Sequence, residues 1–117
     1  MTLVDQNAID LAASTVSGTL NVTSSGAITD SGALEITGAT TLAAGAGNDI
    51  TLDTATNDFN SVGITSGNNV ILVDQNTIDL AASTVSGTFN ITSSGAITDR
   101  GDINTAGVVY GHGHARG

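Results

Sequence analysis

Apolar residues spaced by two recur along most of the chain, as in Ile9/Leu11, Leu20/Val22 and Ile50/Leu52. Spacing by two places both side chains of a pair on the same face of a β-strand. No run with helical i, i+3, i+4 spacing competes with this pattern over a useful length. The pattern therefore predicts an all-β fold with almost no helix.

Turn-forming residues separate these apolar groups at short intervals. The segments SG, SSG, DSG, AGAGND and SGNN supply the Gly, Asn, Asp and Ser that sharp corners require. An inward group recurs about every six to ten residues, which is too often for the turn spacing of about 8–12 residues in a β-sandwich. We therefore predict a single-stranded parallel β-helix, or β-solenoid, with three short strands per coil and about five coils of roughly 20–23 residues.

The inward residues are predicted to form three apolar faces, each continuous along the stack of coils. The first face comprises Leu3, Leu20, Val22, Leu42, Val70, Leu72, Phe89 and Ile91. The second comprises Ile9, Leu11, Ile28, Ile50, Leu52, Ile78, Leu80 and Ile97. The third comprises Val16, Leu34, Ile36, Val62, Ile64, Val85 and Ile103.

One block of sequence is written twice, at residues 3–30 and 72–99. Only Ala8/Thr77, Leu20/Phe89 and Val22/Ile91 differ between the copies. The offset between the copies equals three of the longest predicted coils, so we expect equivalent residues to lie on the same face. Residues 1–105 are predicted to form one repeat domain, and residues 106–117 a Gly/His-rich tail that is disordered or caps the stack. The segment 54–60 is predicted to form a loop, in which Phe59 either folds back over the core or begins its own strand, and this leaves the coil register open around residues 42–62.

The charge balance excludes several classes of partner. The net charge is −9, with only Arg100 and Arg116 on the positive side. A nucleic-acid backbone needs a basic face, and so does docking on anionic lipid. No segment approaches the roughly 20 apolar residues of a membrane-spanning helix, and no Cys is present for disulfide or thiolate chemistry. We therefore expect neither nucleic acid nor a membrane span.

Residues 26–80 carry a resemblance to a known class of repeats. This segment, which begins GAITDSGALEITGATTLAAGAGNDITLD and continues through NDF, resembles the repeats of bacterial surface exoproteins of the filamentous haemagglutinin type. The resemblance extends over residues 2 to about 105. It implies a right-handed β-helical shaft, secretion to the cell surface, and a role in adhesion, aggregation or biofilm.

Several acidic residues are weak candidates for a metal site. Asp49 and Asp53 lie in AGAGNDITLD, which is similar to a calcium-binding nonapeptide, but Ala44 replaces its first glycine and only one copy is present. We therefore favour a plain glycine-rich corner and expect no cofactor, with calcium as the alternative. A second group, also able in principle to hold a cation between coils, follows the strands at Asp5, Asp30, Asp53, Asp74 and Asp99. We favour a role for these in accepting hydrogen bonds from turn N–H groups.

His112 and His114 are the only histidines, and both lie in the GHGH sequence of the tail. Two imidazoles form an incomplete zinc or copper site, and they leave no Ser-His-Asp system in the repeat region. Scattered carboxylates without convergent basic or aromatic groups do not form a glycosidase site. We therefore expect the chain not to be an enzyme.

The outer faces carry Thr, Ser and Asn, which suit weak multivalent contacts with glycans or surfaces. Asn21 and Asn90 begin equivalent N-x-T glycosylation sequons. The sequence predicts a structural and adhesive module of a bacterial extracellular surface protein, with host-cell or matrix surfaces as partners. A filament of copies stacked end to end is the first alternative, because the two ends of the chain carry nearly the same sequence. A calcium-dependent or carbohydrate-binding module is the second.

Overall fold

The computed structural model describes residues 1–110, and the side chains of residues 1–108. Its strands, in chain order, are β1 (Thr2–Asp5), β2 (Ile9–Leu11), β3 (Ser14–Val16), β4 (Leu20–Ser24), β5 (Ile28–Asp30), β6 (Leu34–Ala43), β7 (Ile50–Leu52), β8 (Asp58–Ser66), β9 (Val70–Asp74), β10 (Ile78–Leu80), β11 (Ser83–Ser93), β12 (Ile97–Asp99) and β13 (Ile103–Tyr110). No helix occurs within residues 1–110. The last strand continues past residue 105, where the sequence placed the start of the tail.

The strands pair in parallel and wind into a β-solenoid of about five turns, which confirms the predicted fold. A seven-stranded sheet has the order β1-β4-β6-β8-β10-β12, with β3 beside β6. A six-stranded sheet has the order β13-β11-β9-β7-β5-β2. Each strand therefore bonds the strand one coil away, and the backbone hydrogen bonds run along the solenoid axis. The described part measures 36 × 30 × 20 Å.

A single column of inward residues follows the six-stranded sheet from one end to the other. Its members, in register, are Ile9, Ile28, Ile50, Val70, Phe89 and Val108. The steps from Ile9 to Ile28, from Val70 to Phe89 and from Phe89 to Val108 span equal numbers of residues. The two steps that meet at Ile50, from Ile28 and to Val70, span more residues. All of these steps are shorter than the coil that the duplicated block suggested.

This shorter coil overturns the predicted grouping of the three faces. Val70 and Leu72 pair with Ile50 and Leu52 in the six-stranded sheet, not with Leu42. Ile78 and Leu80, expected above Ile50 and Leu52, lie instead in the seven-stranded sheet.

The third predicted face is divided as well. Leu42 pairs with Ile64, and Ile36 pairs with Phe59 rather than with Val62. The reason is the length of the coil: Val70 already completes three coils above Ile9, so Ile78 lies further around the next coil. The offset between the two copies is therefore about three and a half coils, and not three.

The set of inward residues was predicted more accurately than its grouping. Nearly all of them are buried: Leu11, Val16, Leu20, Val22, Ile28, Leu34, Ile36, Leu42, Ile50, Leu52, Val62, Ile64, Val70, Leu72, Ile78, Leu80, Val85, Phe89, Ile91 and Ile97. Ile9 and Ile103 are partly exposed and pack against this core from its two ends. Ala44 is also buried, although it was not assigned inward from the sequence, and Phe59 both lies in a strand and packs in the core.

Several predicted pairs of short strands run together into one long strand. β6, β8 and β11 each contain 9 to 11 residues. Register shifts between Ile36 and Ala39, and between Val85 and Thr88, mark the points where such a strand turns a corner. The predicted loop is shorter than expected, since β8 begins at Asp58 and takes Phe59 into the core.

Among the buried polar residues of the described chain, Thr40 has a side chain without a hydrogen-bond partner. Thr40 lies in register between Leu20 and Val62 and is 1% exposed. Within the described chain, its hydroxyl oxygen is the buried side-chain polar atom that has no hydrogen-bond partner. An unpaired buried hydroxyl destabilises the folded state, because it loses its hydrogen bonds to water.

Candidate functional site

The two copies of the repeated block keep the same local hydrogen bonds. The Asp5 carboxylate accepts a bond from Asn7 N at 2.8 Å, and the Asp74 carboxylate accepts one from Asn76 N at 2.7 Å. These bonds confirm the turn-capping role predicted for Asp5 and Asp74.

Both copies also contain a side-chain hydrogen bond between adjacent coils on the outer surface. Thr29 donates to Asp10 at 2.9 Å in the first copy, and Thr98 donates to Asp79 at 2.8 Å in the second. The first of these pairs lies on the six-stranded sheet and the second on the seven-stranded sheet. In the second copy, Arg100 also forms an ion pair with Asp79 at 3.1 Å.

Asp74 differs from its counterpart Asp5 because a coil lies beneath it. Its side chain is 1% exposed, and its second oxygen accepts a bond from Phe59 N at 2.7 Å. Burial raises the pKa of Asp74 from 3.8 to about 6, the bonds from Asn76 N and Phe59 N oppose this rise, and the nearby Asp58 adds to it. Asp74 is therefore a buried carboxylate that ties one coil to the next.

Asn57 has a similar role one coil earlier. Its side-chain oxygen accepts from Leu34 N at 2.8 Å, and its amide nitrogen donates to Asp30 at 2.7 Å and to Leu52 O at 3.3 Å. Its own carbonyl accepts from Gln75 N at 2.8 Å. Asn57 is fully buried, so this residue links three successive coils from inside a corner.

An open groove of about 310 Å³ lies on the surface outside Phe59. Its lining comprises Glu35, Ile36, Thr37, Asp58, Phe59, Asn60, Asn76 and Thr77. Glu35 and Asp58 are paired in register, which brings two like charges side by side on neighbouring strands. Thr77 adds a hydroxyl at the position where the first copy of the block has Ala8. Carboxylates, amides and a hydroxyl in one groove are suited to a cation or to the hydroxyl groups of a sugar.

The acidic candidates from the sequence are not brought together in one row. Asp30 and Asp74 end strands of the six-stranded sheet, whereas Asp5 and Asp99 end strands of the seven-stranded sheet. Asp53 donates its backbone N–H to Asp30. Asp49 accepts bonds from Asn68 Nδ2 at 3.2 Å and from Asn69 N at 3.1 Å, which is a corner role.

The remaining metal candidates from the sequence, His112 and His114, lie outside the described residues. Within residues 1–110, no group of three or more His, Cys, Asp or Glu side chains is close enough to hold a metal ion. In the same part of the chain, no helix is long and apolar enough to cross a membrane.

The two glycosylation sequons lie within strands rather than loops. Asn21 is exposed on β4, and Asn90 is half-buried on β11. Asn21 is in register with Thr41, and Asn90 with Ile71. Although their sequences match, the two asparagines therefore have different neighbours.

Sequence reasoning missed Asn57, the burial of Asp74, and the groove beside Phe59. A signal for the coil length was present, since the similar triplets Ala8-Ile9-Asp10 and Ala27-Ile28-Thr29 are stacked in the fold. The spacing of these triplets would have placed Asp74 over Ala55, just before the NDF segment where Asn57 and Phe59 are found.

The repeat organisation agrees with one family of sequences. The family model described as "Repeats of unknown function (DUF5649)" matches residues 1–66 and again residues 67–109. No curated protein and no solved structure matches the chain. Since the two matches together cover nearly the whole chain, the protein belongs to this repeat family.

Proposed function

We propose that the chain is a structural and adhesive module of a bacterial extracellular surface protein, of the filamentous-haemagglutinin-like class. The observation that carries this proposal is how the buried polar side chains are used. Asn57 and Asp74 bond the backbone of neighbouring coils, and the Ser83 hydroxyl accepts a bond from Ile64 N at 3.1 Å. Such bonds brace a stack of coils against shear, so the proposed role is mechanical and includes no catalysis.

The proposed adhesive contacts use the outer faces of the shaft. Exposed polar residues recur at coil spacing, as at Asn21 and Thr41, which are in register on neighbouring strands. Repeated weak contacts with host-cell or matrix surfaces gain strength because later contacts form within the same complex. A longer array of such coils would present more of these contacts.

Localisation and adhesion can be tested separately. Antibody labelling and protease treatment of intact cells of the source bacterium should detect the chain on the outside. Beads coated with the purified chain should bind epithelial cells or matrix proteins more than beads coated with the Ile97→Asp variant, which we expect to be unfolded. Signal confined to the cell interior would contradict the location, and equal binding of the two kinds of bead would contradict adhesion.

A second candidate function is that of a protomer in an extracellular filament. It is favoured by the inward residues at the two ends of the solenoid, since Ile9 and Val108 are both partly exposed. Electron microscopy of the purified chain would show filaments whose length rises with concentration. Dispersed monomers at every concentration would contradict it.

A calcium-dependent or carbohydrate-binding role is a third candidate, favoured by the groove that Glu35, Asp58 and Thr77 line. Calorimetric titration with calcium and with glycan mixtures should then give heat that Asp58→Asn abolishes. Flat titrations of the unaltered chain would remove this candidate.

A further inference from the structure

The repeated block occurs twice in the solenoid, once with another coil stacked beneath it and once in the first described coil. In the second copy, Leu72 and Leu80 stack on Leu52 and Val62 of the coil beneath, and both are fully buried. In the first copy, the equivalents lie in the first described coil, where Leu3 is only partly buried and Leu11 is 6% exposed. The second copy thus shows what fits beneath this sequence, namely another coil of the same repeat.

The first coil has backbone groups available for such a partner. Within the described chain, β1 pairs only with β4, β2 only with β5, and β3 only with β6. At the opposite end of the part that the structure describes, β13 pairs only with β11 and β12 only with β10. A strand with one neighbour presents a free row of N–H and C=O groups to another strand.

The apolar surface exposed at the two ends is complementary. The column on the six-stranded sheet begins at Ile9, which is partly exposed, and ends at Val108, which is 39% exposed. The members between them are fully buried. Among described large hydrophobic side chains, Met1 and Val4 of the first coil are also exposed, as is Ile71 on an outward position of β9. Ile9 of one copy placed over Val108 of another would continue the column without a break.

We propose that the end surface formed by β1, β2 and β3 binds the β13 end of a second copy of this chain, by parallel strand pairing with Ile9 stacked over Val108. The contact is heterologous, because one copy uses its β1 end and its partner uses the opposite end. Each added copy therefore leaves one end of each kind free, and the assembly grows without closing. This inference deepens the filament candidate by naming its surface, and it is independent of export and adhesion.

The first experiment measures the mass of the unaltered chain. Analytical ultracentrifugation from about 1 µM to about 1 mM should show a mass that rises continuously with concentration. Because each copy carries a net charge of −9, association should strengthen when salt is raised from about 0.15 M to about 0.5 M. A monomer over the whole range, at both salt concentrations, would overturn the proposal.

Blocking variants then identify the surfaces. Ile9→Lys and Val108→Lys each place a charge at one end, in a partly exposed position that should tolerate it without unfolding. Each variant alone should be monomeric, with association weakened roughly 30-fold or more. A mixture of the two should form dimers and nothing larger, because each variant retains the one end that the other needs.

Matched controls keep the charge but move it to outward positions of the end coils. Thr15→Lys and Asn104→Lys alter exposed residues of β3 and β13, and both should associate like the unaltered chain. Circular dichroism and thermal melts establish that all four variants are folded. A mixture that stays monomeric, or blocking variants that associate normally, would refute the head-to-tail contact. None of these results changes the outcome of the bead assay, so failure here and failure of the adhesive proposal are distinguishable.

Discussion

Ile9 and Ile78 occupy equivalent positions in the two copies of the repeated block, yet they belong to different sheets. Ile9 pairs with Ile28 in the six-stranded sheet, and Ile78 pairs with Ile97 in the seven-stranded sheet. In both cases the partner lies one coil further along the chain, at the same separation in sequence. What the block preserves is therefore the contact between consecutive coils, and not a position on one particular face.

This relationship gives a matched test of burial. Ile78→Asp introduces a charge at a residue that is 1% exposed, and an uncompensated buried charge costs roughly 3–5 kcal/mol. We expect Ile9→Asp to cost only about 1 kcal/mol, because Ile9 is partly exposed. Urea unfolding at low protein concentration measures both. Equal losses of unfolding free energy in the two variants would contradict the assignment of Ile78 as buried and Ile9 as partly exposed.

Replacing Thr40 should stabilise the protein. Thr40→Val keeps the shape of the side chain and removes the buried hydroxyl that has no partner, so we expect a gain of about 1 kcal/mol in the free energy of unfolding. Thr41→Val, at the exposed neighbouring position, should change stability by less than about 0.5 kcal/mol. A loss of stability in Thr40→Val would show that the hydroxyl has a partner after all.

Asp74 should make the folded state more stable as the pH falls. Because burial raises its folded-state pKa from 3.8 to about 6, the folded chain binds this proton more tightly than the unfolded chain does. Its contribution grows as the pH falls from about 7 toward about 4, and it is lost as the pH rises through about 6, with an upper bound of about 3 kcal/mol. Thermal melts at intervals of pH measure this slope.

This dependence of stability on pH should be absent in Asp74→Asn and retained in Asp5→Asn. The second variant alters the same local turn without a coil beneath it, so the difference between the two isolates the burial of Asp74. Identical slopes in both variants would assign the effect to other carboxylates.

Among the polar side chains, removal of Asn57 should lower the free energy of unfolding most. Asn57→Ala leaves Leu34 N buried without its partner and removes the bond to Asp30, for an expected loss of roughly 3 kcal/mol. The nearby Asn60 is exposed, and Asn60→Ala should cost less than about 0.5 kcal/mol. Chemical denaturation compares the two, and a small loss for Asn57→Ala would mean that water or a rearranged loop replaces the amide.

Two stacked glycines should differ in their tolerance of a methyl group. A Cβ on Gly38 would lie 2.6 Å from Gly18 O, whereas a Cβ on Gly18 would meet nothing within 4 Å. Gly38→Ala should therefore destabilise the protein by about 1–3 kcal/mol, and Gly18→Ala should be tolerated. Equal melting temperatures for the two variants would indicate that the corner can shift to make room.

The fold class and nearly all of the core followed from the sequence, because inward residues alternate with outward ones in most strands. The grouping into faces did not, because coil length is set by corners whose lengths vary. The step in register from Glu35 to Asp58 covers more of the chain than the step from Val70 to Phe89. A single constant period therefore places later coils on the wrong side of the solenoid.

The buried polar residues were harder still to predict. Asp5 and Asp74 have identical neighbours in sequence from Leu3 to Asn7 and from Leu72 to Asn76, yet only Asp74 is fully buried and bonded to another coil. That difference arises from which residues lie underneath, and local sequence carries no information about them. Asn57 does lie in the predicted loop, before β8, but its burial was missed for the same reason, since its partners are Leu34 and Asp30 of the previous coil.

The offset between the copies also fixes how the shaft presents itself to its surroundings. The pair Asp10 and Thr29 faces outward from one sheet, and its duplicate, Asp79 and Thr98, faces outward from the other. The same Asp–Thr pair is thus shown in two directions around the axis, at two heights, with Arg100 added beside it in the second copy. A partner that recognises this pair could approach from either side, so a single shaft could bridge two surfaces without turning.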